Sequence, residues 1–189
     1  MLESLPKCFL DKIAGAIIRS PGGTLSSSIE KLTCCPHKSQ QAGALGSWMF
    51  YDNTVVICGG NAASYGIDTG RVLVHELVHH IQANFNPAIS PTTPSIAYLN
   101  PLVINWISQT GWIPEGSVNI GLYCYPVIGC HGLQTPPDVP DGYKRATVVP
   151  LEDMAHSVQL YYANPNSLKN VSPRRYEFIK NNIMCGREF

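Results

Sequence analysis

Apolar residues recur at helical spacing in several stretches of this chain and alternate or run together in a few short ones. In residues 71–82, RVLVHELVHHIQ, the apolar positions are Val72, Leu73, Leu77, Val78 and Ile81. No Gly or Pro interrupts them, so a largely buried helix is predicted, with Asp68 or Thr69 as its N-cap. A second strong helix is predicted over 151–164, LEDMAHSVQLYYAN, with Pro150 just before it and Asn164-Pro165 as its stop. A third spans 173–183 and is opened by Pro173, and a shorter one over 102–112 closes at Gly111. Residues 3–18 read as a first helix running into a strand. Residues 47–58, SWMFYDNTVVIC, read as a hairpin: WMFY, an Asp-Asn turn, then the β-branched run TVVIC.

Between these elements the pattern is lost. SPGGTLSSS at 20–28 is a turn or loop, and 29–45 is polar with little periodicity. Residues 86–101 hold four prolines, and 113–150 are irregular and rich in Gly, Pro and Tyr. A loop that long in a compact domain is usually functional or mobile. There is no internal repeat. At 189 residues the chain is expected to form one domain, 1–189, large enough to bury a core.

Charge adds mainly exclusions. Formal net charge is zero and 14% of residues are charged. No basic stripe points to nucleic acid, and no apolar run approaches the ~20 residues of a membrane span. The first twenty residues are a poor signal peptide, because charges interrupt their apolar positions. There are seven cysteines, more than a cytosolic enzyme needs, and the odd count leaves at least one thiol unpaired within a monomer. No C-x-x-C spacing suggests a separate structural zinc site. Cys124 and Cys130 flank a Gly-containing loop and are one possible disulfide, the alternative being buried free thiols.

Chemistry concentrates in His75-Glu76-Leu77-Val78-His79, which reads H-E-x-x-H. Two histidines four apart on a helix share a face and can hold one metal ion, usually zinc, with the glutamate placed to take a proton from its water. Burying His75, Glu76, His79 and His80 in an apolar helix is costly unless they are satisfied. A metal satisfies the histidines directly; hydrogen-bond partners in a plain core helix would be the alternative. His80 points about 100° away from His79 around the helix and is expected to pack or support rather than ligate.

Catalytic zinc takes three protein ligands. The residues after His79 are HIQANFN, so no nearby histidine completes an extended motif. Helix 151–164 offers Glu152, Asp153 and His156 in an apolar frame, with small Ala155 allowing a close helix approach. Glu152 is the preferred ligand and His156, on the same face, a supporting residue. His156 as direct ligand is the main rival, and Asp153 is a candidate to orient His75 or His79.

HELVHHIQ, then LEDMAHSVQLYYANP, then PRRYEFIKNNI together resemble the gluzincin-type metallopeptidases, most closely the group similar to the anthrax lethal factor catalytic domain. The element order over 45–185 follows that group, with about 30 residues matching in motif detail. His156 departs from it, standing where the group's second motif has Glu. A shorter likeness, from TVVIC to HELVH, is to a mitochondrial-type metalloprotease family whose second motif differs.

The resemblance implies an α+β zincin-like fold: a small mixed sheet, an edge strand (48–51 or 54–58) beside the H-E-x-x-H helix, and a helical C-terminal part. It implies Zn2+ held by His75, His79 and Glu152, with Glu76 as general base. A Tyr or His ahead of the third ligand would stabilise the oxyanion. Tyr143 fills that place, with His131 second; a loop Tyr that merely packs its ring is the alternative. Trp106, Trp112, Tyr123 and Tyr125 could line the cleft, but aromatics in a Pro/Gly-rich segment are often only satellite packing, and they are assigned no role.

The expected function is zinc-dependent hydrolysis of peptide bonds in a protein or peptide substrate, by a secreted or delivered toxin or effector domain. An inhibitor or immunity protein is a possible partner. The alternatives are an amidase acting on peptidoglycan cross-links and a non-catalytic binding module of the same fold.

Overall fold

The computed structural model describes residues 5–13, 17–19, 46–49, 54–57, 68–83, 100–114, 133–134, 136–140 and 150–189. Six helices lie among them: α1 (Lys7–Lys12), α2 (Thr69–Ala83), α3 (Pro101–Gln109), α4 (Pro150–Ala163), α5 (Pro165–Val171) and α6 (Pro173–Asn182). The strands are short: β1 (Ile17–Arg19), β2 (Gly46–Met49), β3 (Thr54–Ile57), β4 (Ile113–Pro114) and β5 (Leu133–Gln134).

The expected α+β class with a small mixed sheet is therefore corrected, because the described residues are predominantly helical. The strand pieces are two to four residues long, too short to serve as a layer of the fold. They pair β1–β3 in parallel and β2–β3 in antiparallel register, with Trp48 opposite Val55. β3 lies between the other two, so the TVVIC run is not the expected edge strand. Most burial comes from helix on helix: α2 against α4, with α3, α5 and α6 closing around α4.

Helix ends explain much of this arrangement. Asp68 caps α2, its Oδ1 accepting from the Gly70 N–H at 3.0 Å. Buried Asn100 serves two helices. Its Oδ1 accepts from the Leu102 N–H at 2.9 Å, opening α3. Its Nδ2 donates to the Ile81 and Gln82 carbonyls at 3.0 and 2.9 Å, satisfying the end of α2. Prolines occupy the first turn of α3, α5 and α6, where a missing N–H costs nothing. Asn164-Pro165, expected to stop α4, also starts α5: the Asn164 Oδ1 accepts from the Ser167 N–H at 3.0 Å.

Gly111 (φ +87°) ends α3 as expected. A Cβ there would meet only the Arg174 guanidinium, the movable end of a long side chain, so it is the positive φ that favours glycine. The core runs from Val55 and Ile57 through Leu73, Leu77, Val78 and Ile81 to Met154, Ala155, Val158 and Ile179. Trp106 is fully buried and meets Phe178 edge to face, and Trp112 is 4% exposed. Both are core residues and do not line a cleft. A Cys8–Cys185 disulfide ties α1 to the chain's end across 177 residues.

Candidate metal centre

Helices α2 and α4 bring three donors to one point. The Nε2 atoms of His75 and His79 lie 3.2 Å apart, and the rings meet nearly edge to face. Glu152 reaches both, Oε2 to His75 Nε2 at 3.3 Å and Oε1 to His79 Nε2 at 3.4 Å. Among the described residues His75, His79 and Glu152 form the cluster able to hold a metal ion. His80 and His156 are not members. His80 is buried and His156 half-buried on α4.

The three separations can be compared with those around a metal. Four ligands about 2.0–2.1 Å from a tetrahedral ion stand about 3.3 Å from one another. The two nitrogens stand 3.2 Å apart and each meets a different oxygen of the Glu152 carboxylate, at 3.3 and 3.4 Å, separations close to that ligand spacing. Two neutral imidazoles do not turn bare lone pairs on each other at such a distance, so a proton or a cation belongs between them. Two nitrogens and one carboxylate oxygen suit zinc, and the residues present fit that ion.

Electrostatics agree with the geometry. Burial works against a charged His79, but the hydrogen bond and charge of Glu152, helped by Glu76 and Gln82, outweigh it and push the imidazole up to about 9. Burial likewise works against a charged Glu152, yet the two histidines hold its carboxyl well below the usual range. His156 is moved the other way, lowered first by burial and then by the charge of His75. Glu76 is 7% exposed, on the same helical turn as His75.

Asp153 does not orient either histidine. Its Oδ2 accepts from Trp112 Nε1 at 2.9 Å, and the Arg175 guanidinium pairs with the same carboxylate at 3.0 Å. It thus anchors α4 just beyond Glu152. Gln82 is a contact that sequence reasoning missed. Its Oε1 lies 2.9 Å from His79 Nδ1, and its Nε2 donates to the Leu151 carbonyl at 2.9 Å. The available signal was its spacing, three residues past His79 and so on the same face. Tyr143 and His131, with Cys124, Cys130, Tyr123 and Tyr125, lie outside the described residues.

Comparison with protein-family models, with curated proteins and with solved structures gives no match. No helix among the described residues is long and apolar enough to cross a membrane.

Proposed function

We propose that this chain is a zinc-dependent metallopeptidase of gluzincin type, with His75, His79 and Glu152 as ligands and Glu76 as general base. The observation that carries this reading is the donor cluster: two imidazole nitrogens 3.2 Å apart on α2, each facing one oxygen of the Glu152 carboxylate on α4, at 3.3 and 3.4 Å. When bound, zinc lowers the pKa of its water towards ~7 and polarises an acyl oxygen. Glu76, beside His75 on α2, takes the proton of the attacking water and returns it to the leaving amine. His79 would hold the ion as the neutral ring, so metal binding would release its proton.

An oxidising, extracellular setting fits the Cys8–Cys185 bond, since such bonds persist outside the cytosol. A protein or peptide substrate is the corresponding partner, with Tyr143 proposed as oxyanion donor.

The test is Glu76→Gln. Zinc content should stay at one per chain while hydrolysis of an unfolded protein substrate falls below detection. If cleavage persists in this variant, Glu76 is not the base. If the wild type holds zinc but cleaves cell-wall cross-links and not peptides, the substrate assignment changes and the metal site stands.

A further inference from the structure

Gln82 is 1% exposed, and both halves of its amide are engaged. One side faces the Leu151 carbonyl at 2.9 Å. A carbonyl only accepts, so the amide NH2 must lie there and the amide oxygen must face the other way. That oxygen sits 2.9 Å from His79 Nδ1. An oxygen acceptor at that distance requires the hydrogen on Nδ1. The lone pair of neutral His79 is then on Nε2, the atom 3.4 Å from Glu152 Oε1.

From this geometry we infer that Gln82 is a positioning residue, holding His79 in its Nδ1–H form and tying that ring to the backbone preceding Glu152. The tie matters because the second and third donors come from different helices. Leu151 adjoins Glu152 in the chain, so a single side chain links His79 on α2 to the residue before the carboxylate on α4. Asn100 adds support from behind, donating to the Gln82 carbonyl at 2.9 Å. Groups that orient a metal-ligating histidine through its second nitrogen typically change metal affinity 10–100-fold when removed. The effect on affinity rests on the metal-site reading above; the effect on the ring tautomer does not.

The experiment compares wild type, Gln82→Met and Gln82→Glu. It measures zinc affinity by competition with a chelating dye and the ring nitrogens by 15N NMR of the metal-free protein at alkaline pH. Wild-type His79 should show the Nδ1–H tautomer. Gln82→Met should bind zinc roughly 10–100-fold more weakly and show mixed tautomers. Gln82→Glu keeps an acceptor at Nδ1 but loses the donor to the Leu151 carbonyl, so it should restore the tautomer and only part of the affinity.

Wild-type affinity together with an unchanged His79 spectrum in Gln82→Met would overturn the inference. So would an Nε2–H tautomer in the wild type, or a Gln82→Glu protein that folds yet recovers neither property. A wild type that binds no zinc would remove the metal-site reading, and the tautomer would still judge Gln82.

Discussion

Asp153 and Arg175 form an ion pair at 3.0 Å with both side chains fully buried, one residue along from the carboxylate that completes the donor cluster. Three arms of the fold meet on this pair. Trp112 donates to Asp153 from beyond α3, Ser157 lies 3.4 Å away one turn along α4, and Arg175 rises from α6. Arg175 also reaches Ser172 Oγ and Asp138 Oδ1, each at 3.0 Å.

Removing one partner leaves an uncompensated charge in the core. Asp153→Ala or Arg175→Met is expected to lower stability by about 3–5 kcal/mol, seen as an earlier urea midpoint with an unchanged slope. Because the pair fixes the start of α4, metal affinity should fall with it. A shift below about 1 kcal/mol in both variants would mean that the pair is not what holds α4 against α6.

Asp138 gives the fold an acid limit. Burial alone would raise its pKa, but bonds from Arg174 Nε (2.8 Å), Arg174 Nη2 (2.6 Å) and Ser172 Oγ (2.6 Å), with the Arg175 charge, hold the carboxyl far below its usual range. The sign follows from linkage. A folded value below the unfolded ~3.9 gives stability that is fully present above about pH 4 and is lost as pH falls towards the folded value. Melting temperatures from pH 7 down to pH 2 should therefore drop steeply below pH 4. Asp138→Asn should lower the neutral plateau and flatten that drop; an acid limb of unchanged steepness would count against this role.

The helices were the legible part of the fold, because an apolar face at helical spacing survives in sequence whatever it packs on. Val72, Leu77 and Ile81 announced α2, and Met154, Ala155 and Val158 announced the buried face of α4. Pro165 misled, since a proline that ends one helix can equally open the next, and α5 went unread. The fold class misled too. β-Branched residues at 54–57 correctly signalled a strand, but the run was too short to set the architecture. In the site, His75 and His79 were legible from their spacing of four, and Glu152 from its place on the facing helix. Gln82 and Arg175 were not, because their roles depend on partners 69 and 22 residues away. The Cys8–Cys185 pairing was beyond reach for the same reason: seven cysteines admit many connectivities.

Glu152 and His156, on one face of α4, make the assignment of the third ligand testable. Glu152 Oε2 lies 3.3 Å from His75 Nε2, whereas His156 is not part of the donor cluster. Zinc that binds only the folded state stabilises it in proportion to occupancy, by about 2.7 kcal/mol at a hundredfold excess over Kd. Adding zinc to chelator-treated wild type should therefore raise its melting temperature. Glu152→Ala should show little or no rise and retain less than one zinc per chain. His156→Ala should keep both the rise and the metal. The reverse result, with zinc lost in His156→Ala and kept in Glu152→Ala, would move the third ligand to the histidine. Because the two side chains share one face of the same helix, disruption of α4 itself would affect both variants alike, and only a change in ligation separates them.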